Sequence, residues 1–180
     1  MRGQKNIRVS VSCTTRKPRP GEKEGVAYYF KTADEFKAMA ARGEFLEYKE
    51  VFGNYYGTPK KQVEELLNNG FDVVLEIDVK GAYEVKKQVE DAVLIFFTPS
   101  SAAETERRLR GRGTETEEVI AGRLKKAEAE LRAAKDYDYL VLSTTPEESA
   151  QNITAILKAE KCRTARNIQV IKNLVLTVDK

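Results

Sequence analysis

The sequence predicts an α/β fold, a parallel sheet flanked by helices with a small antiparallel lobe inserted into it. Three observations carry that expectation. Residues 73–77 and 93–97 are near-continuous apolar runs, the composition of strands covered on both faces. Helical patterns alternate with them along the chain. Around residues 24–57 the pattern changes to short strands joined by turns, which reads as the inserted lobe.

Taken in order, residues 7–11 alternate and predict a strand feeding a stiff loop, Thr14-Thr15-Arg16-Lys17-Pro18-Arg19-Pro20-Gly21. Residues 26–30 predict another strand, with Tyr28 and Tyr29 on opposite faces. Thr32 and Glu35 have capping-box spacing before a short helix bearing Phe36, Met39 and Ala40, which Gly43 ends. Residues 45–51 and 55–57 predict a hairpin turning at Gly53-Asn54. Thr58-Pro59 predicts the cap and first turn of a helix that buries Val63, Leu66 and Leu67 and closes at Gly70. A helix at 82–89 follows the first apolar run. After the second run, Ser101 and Glu104 cap an arginine-rich helix ending near Gly111. Thr114 and Glu117 are expected to cap a longer one that buries Ile120, Leu124, Ala127 and Leu131. Residues 139–142 predict a third core strand, and Pro146 starts a last helix through Leu157. Residues 168–178 predict a strand or a short partner-binding tail, conceivable as the filler of a vacant strand position.

The composition narrows the function. In 180 residues, 31 basic and 28 acidic side chains leave a net charge of +3, too balanced for a dedicated nucleic-acid binder. No apolar run is long enough for a membrane span, no signal-peptide pattern opens the chain, and the expected address is the cytoplasm. Cys13 and Cys162 are too few for a disulfide framework or a structural zinc site. Histidine is absent, which removes Ser-His and Cys-His nucleophiles and every histidine metal site.

Positive charge gathers where chemistry can use it. Residues 1–23 hold Arg2, Lys5, Arg8, Arg16, Lys17, Arg19 and Lys23 against the single acid Glu22. A rigid loop carrying Arg16 and Arg19 suits bidentate contact with phosphate oxygens, and the hydroxyls of Tyr28 and Tyr56 can complete a cradle. Guanine presents two adjacent donors that one carboxylate accepts together, and adenine has no such pair. Glu47 can supply that carboxylate with the Thr58 hydroxyl beside it; taken alone, Glu47 reads better as an exposed acid on a hairpin, and Tyr55-Tyr56 reads better as sheet packing than as a ligand contact. Asp78 ends a buried strand, where it can accept from a substrate or hold hydrated Mg²⁺, or cap the next helix. Arg108 and Arg112 lie four apart on one helix side, with Arg123 beyond a glycine-flanked hinge. That layout fits a closing lid over a transferring phosphoryl group, or a mixed surface paired with Glu104, Glu106, Glu117 and Glu118.

The order of these segments is more specific than any one of them. The run 10–22, then Gly53-Asn54-Tyr55-Tyr56-Gly57-Thr58, then residues 75–81, then residues 110–118 resembles guanylate kinase of the bacterial type over about residues 7–160. The resemblance implies a nucleoside monophosphate kinase-like fold as a single domain over 1–180. Within it, 24–57 would be the GMP-binding lobe, 100–125 the lid region and 163–180 a C-terminal extension. It implies transfer of a phosphoryl group from ATP to GMP with Mg²⁺, and partners that are GMP and ATP rather than nucleic acid or membrane. By motif, Ser12, Arg16, Arg19, Tyr28 and Tyr56 match the GMP phosphate site, Glu47, Thr58 and Asp78 the guanine side, and Arg108, Arg112 and Arg123 the lid arginines. The family's opening strand and G-x-x-x-x-G-K-[ST] loop do not occur in these 180 residues, and Ser143-Thr144 stands where Asn-Asp is usual. The expectation is therefore a guanylate kinase sequence shortened ahead of that loop; the alternative is a GMP-binding or protein-binding module of the same fold.

Overall fold

The computed structural model describes residues 6–51, 53–111 and 116–178. Contacts divide the chain into one unit through Leu94 and another from Ile95.

In the first unit, β1 (Ile7–Val9) pairs in parallel with β6 (Asp72–Val74), so the strands predicted at 7–11 and 73–77 are both shorter than their apolar runs. The chain leaves β1 because Gln62 captures it: the Gln62 side-chain oxygen accepts from the Ser10 hydroxyl at 3.0 Å and from the Val11 N–H at 3.1 Å. A four-stranded sheet follows in the order β3 (Tyr29–Phe30), β2 (Cys13–Thr14), β5 (Asn54–Pro59) and β4 (Phe45–Val51). The strand predicted at 26–30 is reduced to two residues. Gly25 turns the chain at φ +70°, and Val26 lies exposed in the bend.

Helix α1 (Ala33–Ala41) forms as its caps dictate. Thr32 accepts from the Glu35 N–H, Glu35 reaches back to the Thr32 N–H, and Gly43 leaves the helix at φ +69°. It lays Phe36 on the sheet, where the ring stacks on Phe45 at 4.4 Å and on Tyr55 at 5.4 Å. Cys13, Phe36 and Phe45 form that core. Leu46, Val63 and Val85 form a second, joined by Val73, Leu75 and Ile77.

Helix α2 (Lys60–Asn68) starts one residue later than Thr58-Pro59 predicts. Both residues stay in β5, and Pro59 is an N-cap without a side-chain bond, because the Thr58 hydroxyl has a partner across the sheet. Val63 is buried as expected; Leu67 is 51% exposed and is a correction. Helix α3 (Val79–Gln88) begins earlier than residue 82, since Asp78 caps it by accepting from the Gly81 N–H at 3.0 Å.

In the second unit β7 (Ile95–Pro99) and β8 (Tyr139–Ser143) pair in parallel through five residues. Helix α4 (Ala102–Arg110) is capped by Ser101 as predicted. Helix α5 (Glu117–Leu131) has Thr116 as its N-cap; Thr114 lies outside the described residues. Ile120 is buried, whereas Leu131 is 50% exposed. Helix α6 (Pro146–Lys161) starts at Pro146 and runs past Leu157. Buried Glu160 near its end accepts from the Tyr139 hydroxyl at 2.6 Å and pairs with Arg163 and Arg166, anchoring the chain beyond.

Residues 168–178 are neither a strand nor a strand filler. They form helix α7 (Ile168–Val178), whose Ile168, Ile171 and Val175 recur at the i, i+3, i+7 spacing of one helix face, with no glycine or proline to interrupt it. Its aliphatic, β-branched composition is what reads as strand. Among the described residues no helix is long and apolar enough to cross a membrane.

Candidate functional site

The register of the β4–β5 hairpin builds the site. A bulge between Phe45 and Glu47 shifts the pleat. As a result Phe45 and Tyr48 face α1, while Glu47 and Lys49 face the other way. On β5 the same alternation gives Tyr55 to α1 and sets Tyr56 and Thr58 beside Lys49 and Glu47, their cross-strand partners. Gly57, on the α1 side, has no room for a side chain: a Cβ there would sit 2.9 Å from the Tyr48 Cβ and 3.0 Å from the Phe45 ring. Tyr55 is thus the packing residue of the tyrosine pair, and Tyr56 is free of the α1 core.

At one end of this face Glu47 is 7% exposed, which removes the exposed-hairpin reading. Its Oε1 accepts from the Thr58 hydroxyl at 2.7 Å. Its Oε2 lies against Gly81 at the start of α3, where an added Cβ would stand 2.8 Å away. Burial pushes the Glu47 carboxyl above its ordinary pKa; the Thr58 bond and the Lys49 charge oppose that push, and Asp78 adds to it. Asp78 fulfils its capping alternative, and its other oxygen pairs with Lys49 Nζ at 2.5 Å. An ammonium therefore stands beside two carboxylates, and this lysine is one that sequence reading passes over.

At the other end lies the arginine loop. The Arg16 guanidinium sits 5.4 Å from the centre of the Tyr28 ring, and the Tyr28 and Tyr56 rings meet edge-on at 6.1 Å. Arg16, Tyr28 and Tyr56 therefore share one corner. Arg16 Nη2 donates to both Glu22 oxygens, at 2.8 and 3.0 Å, and Nη1 donates to the Lys17 carbonyl at 2.7 Å. Arg16 is pushed further up in pKa by Glu22, and Glu22 is pushed down by the hydrogen bond from Arg16 and by the Arg19 N–H. Arg19 is exposed on the same loop, and Ser12 lies just ahead of β2, its carbonyl accepting from the Tyr29 N–H at 2.9 Å. Tyr56 and Thr58 are two residues apart on one strand face, ~7 Å, so the two ends of the site belong to one surface.

Of the arginines read as a lid, Arg108 donates to Glu104 at 2.6 Å and to the Ser143 hydroxyl and carbonyl at 2.7 and 2.9 Å, which ties α4 to the end of β8. The Arg108–Glu104 ion pair realises the mixed-surface alternative for Arg108, and Arg110, which lies outside the lid reading, pairs with Glu106 and Glu117. Arg107 and Arg108 together hold the Glu104 carboxyl down at about 2. Arg123 is half-buried on α5, which packs on α4; Arg112 lies outside the described residues. No group of three metal-ligating side chains gathers among the described residues.

The guanylate kinase family model matches residues 2–160. A guanylate kinase of Lactococcus lactis is 49% identical over 166 residues, covering 92% of this chain and 81% of that protein. One from Clostridium acetobutylicum is 48% identical over 158 residues, covering 88% and 76%. The crystal structure of guanylate kinase from Anaplasma phagocytophilum superposes with a TM-score of 0.75 at 40% identity, covering 89% of this chain and 79% of that one. A match through nearly the whole sequence, with the fold following it, makes this chain a member of the guanylate kinase family.

Proposed function

We propose that this chain binds GMP on the outward face of the β4–β5 hairpin and takes part in phosphoryl transfer from ATP to GMP, giving ADP and GDP. The activity class, a nucleoside monophosphate phosphotransferase, is that of its family. The observation that carries the site assignment is the strand register: it pairs Glu47 with Thr58 and sets both two residues from the Lys49–Tyr56 pair on the same face. Glu47 accepts the ring N–H and exocyclic amine of guanine, with Thr58 fixing its carboxylate and Asp78 completing that side. Arg16, Arg19, Tyr28, Tyr56 and Ser12 take the phosphate. Residues 24–57 act as the GMP-binding lobe, 100–125 as the lid and 163–180 as the C-terminal extension.

Arg108, Arg112 and Arg123 stabilise the charge that spreads over the transferring phosphoryl oxygens. Mg²⁺, bound with ATP, would supply charge neutralisation of the nucleotide; among the described residues no group of three metal-ligating side chains gathers to hold it.

Calorimetric titration with GMP and AMP, beside a coupled assay for ADP, tests the reading. Binding of GMP in preference to AMP, with ADP formed, is the expected result; absence of GMP binding overturns it. GMP binding without ADP formation is instead the signature of a GMP-binding module without phosphotransfer.

A further inference from the structure

Glu22 is an unexpected residue to find beside a phosphate site. It is the single acid among residues 1–23, and a carboxylate next to a bound phosphate repels it. Four contacts nevertheless centre on it. Both its oxygens accept from Arg16 Nη2, one of them also accepts from the Arg19 N–H at 2.7 Å, and its own N–H donates to the Arg19 carbonyl at 3.1 Å. Gly21, at φ +87°, lets the chain turn tightly enough for this closure. The Arg16 and Glu22 side chains are only 16% and 20% exposed, so the pair is shielded from much of the solvent. The loop is held from the other side too: the Arg16 N–H donates to the Thr14 hydroxyl at 3.2 Å, and that hydroxyl donates to the Tyr55 carbonyl.

A guanidinium is a planar fork whose value to a phosphate lies in its direction. An arginine on a loop samples many directions unless something fixes it, and fixing it beforehand reduces the ordering cost of binding. From this geometry we infer that Glu22 is a positioning residue for the phosphate end of the site: it fixes the plane of Arg16 so that the remaining donors face Tyr28 and Tyr56, and it sets the backbone of Arg19 in the same turn. The inference rests on the reading of this corner as the GMP phosphate site.

The test compares GMP with guanosine, which keeps the base and lacks the phosphate. Glu22→Ala is expected to weaken GMP about tenfold or more, and to leave guanosine binding, followed by ligand-detected NMR, unchanged. Glu22→Gln retains a side-chain acceptor and is expected to recover part of the loss. Adding Glu22→Ala to Arg16→Ala is expected to cost less than Glu22→Ala costs alone, the remainder being its hold on the Arg19 N–H. Unchanged or tighter GMP binding by a folded Glu22→Ala protein overturns the inference, because the carboxylate would then be a bystander or a competitor of the phosphate. Equal loss of GMP and guanosine also overturns it, by showing a general disturbance. If the unaltered chain binds guanosine but gains nothing from the phosphate, the assignment of the corner itself fails, and that outcome is separate from any result on Glu22.

Discussion

Glu47 keeps a carboxylate where burial disfavours charge, and its acid–base behaviour separates folding from recognition. Its pKa is raised in the folded chain. Its contribution to stability is therefore present below the unfolded value, ~4.3, and is lost as pH rises through the folded value. In the guanine contact proposed for Glu47 the sign is opposite, since only the ionised form accepts two hydrogen bonds. The preference for GMP over AMP is expected to decline on acidification at a higher pH than an exposed glutamate would give; AMP carries the same phosphate and cancels its titration. Calorimetry of both nucleotides across the acidic range measures this, with Lys49 and Asp78 as the charged neighbours that set the position of the transition. Gly81 gives a second expectation. With a Cβ 2.8 Å from Glu47 Oε2, Gly81→Ala must displace the carboxylate or α3. It is expected to erode the GMP-over-AMP preference and to cost about 1–3 kcal/mol of stability, read from nucleotide titration and the urea midpoint.

The helices and strands show which forces a linear sequence reveals. The caps at Thr32 and Ser101 involve partners three residues apart, so they are legible in order along the chain. Strand ends are set by partners far away: Gln62 ends β1, and the Glu47–Thr58 pair keeps Thr58 out of α2. The same distinction explains the site. Arg16, Tyr56 and Glu47 are legible by residue type, but the ion pairs of Glu22 and Lys49 depend on a turn and on a partner twenty-nine positions away. Periodicity also assigns a helix face without its depth. Phe36, stacked between two rings and 1% exposed, and Leu67, 51% exposed, both occupy apolar positions of their helices. Phe36→Ala is expected to cost about 3–5 kcal/mol, while Leu67→Ala stays within about 0.5 kcal/mol; urea denaturation of the two variants distinguishes them.

At the scale of the whole molecule, the α/β class and the order of its elements follow from alternation of pattern, and the C-terminal helix is where that reading fails. Aliphatic residues suit strands and buried helices alike, and only the spacing of Ile168, Ile171 and Val175 separates the two. The two cysteines have a further consequence. Cys162 is exposed after α6, whereas Cys13 is 1% exposed in β2 and burial pushes its thiol up to about 11. A maleimide reagent near neutral pH is therefore expected to add once, quickly, with a second adduct forming only when the four-stranded sheet opens. Mass spectrometry of that second addition makes the wild-type chain its own clock for the breathing of that sheet, and a slower tick with GMP present would register occupancy of the proposed site without any engineered dye.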